Sequence, residues 1–96
     1  MHLVDPQGDG IFKVREGNNG EKLIQIDFNC YGVYLRETTA DNETVTFTKT
    51  SNDNPDGYLV RIGMHLSKII NMPSDCEGWY RRFTENGGER IIVQKV

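Results

Sequence analysis

The chain has no apolar run of membrane-spanning length, and its first residues, "MHLVDPQGDG", lack a basic segment followed by an apolar one. The first absence excludes a spanning helix. The second leads to the expectation of a soluble, unsecreted protein of the cytoplasm. Cysteine is scarce: Cys30 and Cys76 lie far apart and belong to no CxxC or histidine-spaced set, so they read as two small buried thiols and not as metal ligands. A disulfide between them would need an oxidising compartment. The two histidines, His2 and His65, stand alone, without a neighbour that would make either a general base or a ligand. No Ser, Cys, His or Asp set has the spacing of a nucleophile motif, and no glycine-rich loop follows a strand and opens a helix. The acidic turns "DPQGDG" and "DNPDG" lack the alternate-position oxygens of a calcium loop. The expectation is a protein without catalytic residues, metal or cofactor.

What is present suffices for one small domain. Of 96 residues, 36% are hydrophobic and 9% aromatic, enough for a thin core. A chain this short leaves much of its surface exposed, so a homodimer or an internal pseudo-dimer is expected. Charge is uneven. Residues 1–56 hold five basic against ten acidic residues; residues 57–96 hold six against four, within a net charge of −3. That asymmetry permits one basic face on an acidic protein.

Alternation and turn residues lay out the chain. "IFKVR" (11–15) reads as a strand, Asn19-Gly20 as a hairpin turn, and "KLIQIDF" as the return strand. Residues 29–39 are ambiguous between a strand and a short helical turn. "ETVTFTKT" (43–50) is the clearest strand, and "SNDNPDG" the break between halves. After a strand at Tyr58 to Ile62, Leu66, Ile69 and Ile70 fall at helical spacing. They predict a two-turn helix over Met64 to Asn71, stopped before Pro73. Trp79 to Phe83 and "ERIIVQKV" close the chain as strands around the turn "ENGG".

Residues 57–96 then resemble the swapped-hairpin barrel of AbrB-, SpoVT- and MazE-type DNA-binding domains. Val60-Arg61-Ile62 stands at the end of that family's first strand, with Gly63 in place of its proline. Leu66 and Ile70 hold the helix's apolar positions, Asn71-Met72 stands where Gly-Ile is common, and "GGERIIVQKV" resembles the closing strand. The resemblance implies a DNA-binding transcriptional regulator, with Arg61 and Lys68 near the DNA backbone.

The expected fold is mainly β with one or two short helices, a small swapped-hairpin-like barrel. Residues 11–50 and 57–96 are open to two readings, an internal duplication or a chance match between two strand-rich halves. A gapless shift of 36 residues pairs Leu23 with Leu59, Ile26 with Ile62 and Phe47 with Phe83. Arg81-Arg82 beside Trp79-Tyr80 is the most suggestive cluster, because guanidinium groups bind phosphates and aromatic rings stack on bases. Strand alternation puts Trp79, Arg81 and Phe83 on one side and Tyr80 and Arg82 on the other. With Phe83 in the core, Arg82 is the expected surface contact. The nucleic-acid-binding residues expected are Arg61, Lys68, Arg81, Arg82 and Arg90. The competing class is a protein-binding module, an inhibitor or adaptor acting through its acidic half or a sheet edge.

Overall fold

The computed structural model describes residues 10–96 of the chain. Ten strand segments dominate: β1 (Gly10–Lys13), β2 (Arg15–Glu16), β3 (Lys22–Ile26), β4 (Val33–Thr38), β5 (Thr44–Thr50), β6 (Tyr58–Leu59), β7 (Arg61–Ile62), β8 (Lys68–Met72), β9 (Trp79–Glu85) and β10 (Arg90–Lys95). They form a six-stranded sheet in the order β1-β9-β10-β5-β4-β6 and a four-stranded sheet in the order β2-β3-β8-β7. β1 and β2 are one stretch of chain bent at Val14, and β6 and β7 one stretch bent at Val60. Each bent strand is therefore the edge of both sheets, and the hydrogen-bonded circuit runs around a small antiparallel barrel. Corners of this kind are made where a strand switches sheets.

Local chemistry sets the corners. At each bend the valine N–H leaves the ladder and donates to a glycine carbonyl: Val14 to Gly78 at 2.8 Å, Val60 to Gly32 at 2.9 Å. Both glycines have φ of +92, a conformation other residues adopt at a cost. The predicted Asn19-Gly20 turn joins β2 to β3, with Gly20 at φ +80. The ambiguous segment 29–39 resolves as β4. The core inside the barrel gathers Ile24, Ile26, Tyr34, Val45, Phe47, Ile70, Met72, Tyr80, Ile91 and Val93, together with both thiols, Cys30 and Cys76. Burial holds the Tyr34 and Tyr80 phenols well above the ordinary tyrosine range, with the adjacent Cys30 and Cys76 reinforcing it. Among the described residues no helix is long and apolar enough to cross a membrane.

Two expectations are corrected. The helix predicted over Met64 to Asn71 is instead a short 3-10 turn, Met64–Leu66, followed by β8. His65 and Leu66 have φ of +58 and +63, so the chain reverses direction there. Beyond them, Ile70 and Met72 alternate inward and pair along β3. A two-turn helix carries its nucleation cost for few bonds; as a strand, the same residues fill the gap between β3 and β7 and close the circuit.

The repeat also has a different register. A shift of 36 residues sets buried Phe47 against exposed Phe83, which reverses the faces. A shift of 46 residues keeps them. It carries β2 onto β7, β3 onto β8, β4 onto β9 and β5 onto β10, and the bend at Val14 onto the bend at Val60. Val14-Arg15, Gly17, Lys22, Ile24, Cys30, Gly32, Tyr34, Arg36, Thr38, Glu43 and Lys49 recur as Val60-Arg61, Gly63, Lys68, Ile70, Cys76, Gly78, Tyr80, Arg82, Thr84, Glu89 and Lys95.

The contacts recur as well. The Tyr34 hydroxyl donates to the Gly88 carbonyl and the Tyr80 hydroxyl to the Asn42 carbonyl. The Lys49 N–H donates to the Glu89 carbonyl and the Lys95 N–H to the Glu43 carbonyl. The halves interlock: β3 pairs β8, β5 pairs β10, β1 pairs β9 and β4 pairs β6.

Candidate nucleic-acid interface

The five cations expected to form one basic face are dispersed over the barrel. Arg82 is the clearest correction, since it is 1% exposed. Its Nη1 donates to the Gln25 carbonyl at 2.8 Å, and its guanidinium lies 4.2 Å from the Phe12 ring centre. At that point β1 has left for the other sheet, and β3, paired with β8 along its other edge, has no strand on this side to satisfy its carbonyl. A buried carbonyl needs a donor, and Arg82 provides one. Arg36 repeats the arrangement in the first half, donating to the Asn71 carbonyl at 3.2 Å and stacking 4.2 Å from the Tyr58 ring centre. The inward turn of Arg82 follows from the opposite assumption about Phe83: it is Phe83 that faces outward, 37% exposed.

Three more of the five are engaged. Arg61 on β7 binds Glu21 at 3.1 Å. Backbone hydrogen bonding and the Arg61 contact together hold the Glu21 carboxyl below its ordinary range. Arg90 stands across from Glu85, 3.9 Å away. Lys68 on β8 donates to the Cys30 carbonyl at 3.3 Å, on the opposite sheet from Arg81.

Arg81 remains, and around it the fold assembles residues that were not nominated from sequence. The outer face of β9 carries Trp79, Arg81 and Phe83, all exposed, while Tyr80 and Arg82 point inward. Register places Lys13 beside Trp79, Ile11 and Gln94 beside Arg81, and Ile92 beside Phe83. Trp79 is 53% exposed and Ile11 49%. On the outward positions of β1, β9 and β10 the single carboxylate among the described residues is Glu85, at the far end beside Arg90.

At the near end, Ile11, Phe12, Lys13, Arg15, Gln25 and Trp79 line a cleft of about 190 Å³ where β1 parts from β3. Lys13, Arg15 and Arg81 make no ion pair among the described residues. The alternation of "IFKVR" does put Ile11, Lys13 and Arg15 on one side, which is the signal that could have found them. Their nearness to Trp79 comes only from the β1–β9 pairing.

Compared with family models, curated proteins and solved structures, the chain matches none.

Proposed function

We propose that this protein binds nucleic acid, as a small DNA-binding regulator would, through the outer face of β1, β9 and β10. The observation that supports it is the grouping of Trp79, Arg81 and Phe83 with Lys13 and Arg15, cations without an acid partner among the described residues, beside exposed aromatic rings. Phosphates draw such cations and bases stack on such rings. This face supports the reading independently of the AbrB-type resemblance.

The test is a mobility-shift titration against salt. Affinity should fall steeply as salt rises, and Arg81→Ala should weaken binding and flatten the log–log slope by about 0.7–0.9 for its lost phosphate. Arg61→Ala, which removes an arginine already engaged by Glu21, should change little. No shift at low salt with any nucleic acid would overturn the reading.

A second reading, a protein-binding module, is favoured by one feature elsewhere. Leu59, Ile62 and Leu66 are exposed along β6, β7 and the following turn. Apolar residues grouped on a strand edge suit strand addition by a protein partner or a second copy. A protein retained from cell extract after nuclease treatment, with no mobility shift, would favour it.

A further inference from the structure

The duplication supplies an internal control for the cleft beside Trp79, because the barrel has two equivalent corners. In the corner at Val60, the positions equivalent to Lys13, Arg15 and Trp79 are Leu59, Arg61 and Val33. There the arginine is neutralised by Glu21 at 3.1 Å, and Val33 is buried. In the corner at Val14, the position equivalent to Glu21 is Ser67, so the carboxylate that would quench Arg15 is missing from the equivalent place. Lysine replaces leucine and exposed tryptophan replaces buried valine. Three departures at one corner therefore give a cleft with two cations and an indole, where the other corner has an exposed leucine, a neutralised arginine and a buried valine. Equivalent backbone supports both corners, so folding alone does not require the difference.

We infer that this cleft receives one unstacked nucleobase and its phosphate, so that the ligand is a single strand. This rests on the nucleic-acid reading above. The cleft, about 190 Å³, is smaller than the roughly 300–1,000 Å³ sites of drug-sized ligands, which restricts the occupant to a group of one ring system. A duplex keeps its base faces stacked inside, whereas a single strand offers them to aromatic side chains. Trp79 stacks on the base, Lys13 and Arg15 meet the phosphate, and Arg81 and Phe83 continue the track along β9.

Trp79 is the sole tryptophan of the chain, so its fluorescence reports stacking directly. A fifteen-nucleotide thymidine oligomer, a duplex of the same length and heparin serve as probes at low salt. The expected result is quenching by the thymidine oligomer and none by heparin, with the duplex bound at least about ten-fold more weakly. Ser67→Glu, which restores the missing carboxylate, and Trp79→Val, which restores the first-half residue, should each lower oligomer affinity about ten-fold by anisotropy. Both substitute what the equivalent corner already holds, and unchanged melting temperatures confirm that they fold. Equal binding of duplex and oligomer, or oligomer binding without quenching and unaltered by either variant, overturns this inference and leaves the broader reading standing. Failure of every nucleic acid to bind overturns both.

Discussion

The first half of the chain, residues 10–50, and the second, residues 56–96, are folded alike and finished differently. Equivalent residues hold the barrel together in both: Val14 and Val60 at the bends, Tyr34 and Tyr80 reaching across to the other half's loop, Arg36 and Arg82 capping a carbonyl where a strand departs. The outward positions have diverged. Val33, Leu35 and Glu37 on β4 correspond to Trp79, Arg81 and Phe83 on β9. Inward positions that recur answer to the backbone both halves share, and outward positions that diverge are free to answer to something outside it. Divergence therefore marks the candidate surface in the second half, and recurrence removes Arg82 from it.

The comparison breaks first in the core if it is wrong. Ile24 and Ile70 are equivalent, both fully buried on paired strands. Ile24→Ala and Ile70→Ala should each cost about 2–5 kcal/mol by denaturant titration, and by similar amounts. A negligible loss for Ile70 would contradict the placement of β8.

The arginines sharpen it further. Arg82→Ala removes a buried donor and its stack on Phe12, and should cost about 3 kcal/mol. Arg36→Ala should cost less, because Arg36 is only half-buried. Arg81→Ala, one residue from Arg82 but exposed, should stay within about 0.5 kcal/mol. Equal effects for Arg81 and Arg82 would undo the assignment of their faces.

An effect of opposite sign is expected at the hairpin tips. Asn19-Gly20 in the first half suits a left-handed turn, whereas His65-Leu66 occupies the equivalent place with both residues at positive φ. Leu66 is 78% exposed, so its side chain gains little from burial. Leu66→Gly should raise stability by about 1 kcal/mol, measured as a higher denaturation midpoint. If stability falls, the Leu66 side chain makes a contact that outweighs its backbone strain.

Much of the fold was legible because strands and turns announce themselves locally. Alternation marked 11–15, 43–50, 58–62 and 79–83, and Asn19-Gly20 marked its hairpin. The segment 64–71 was misread because Leu66, Ile69 and Ile70 satisfy helical spacing as well as a strand after a turn, and only the vacancy between β3 and β7 decides between them. The candidate site was half legible. Trp79, Arg81 and Phe83 could be grouped by alternation, but which side met solvent could not, and that choice exchanged the roles of Arg81 and Arg82.

By itself, the sequence determined a mainly β domain with a turn-rich break near Pro55 and Gly57, because periodicity, turn residues and composition act within a few residues of each other. The register of the repeat, the closure of the barrel and the surroundings of each arginine were decided by tertiary structure. Side chains at Lys13, Arg15 and Trp79 become neighbours only through pairing between strands far apart in the chain, and a strand's inward face is defined only once another sheet covers it.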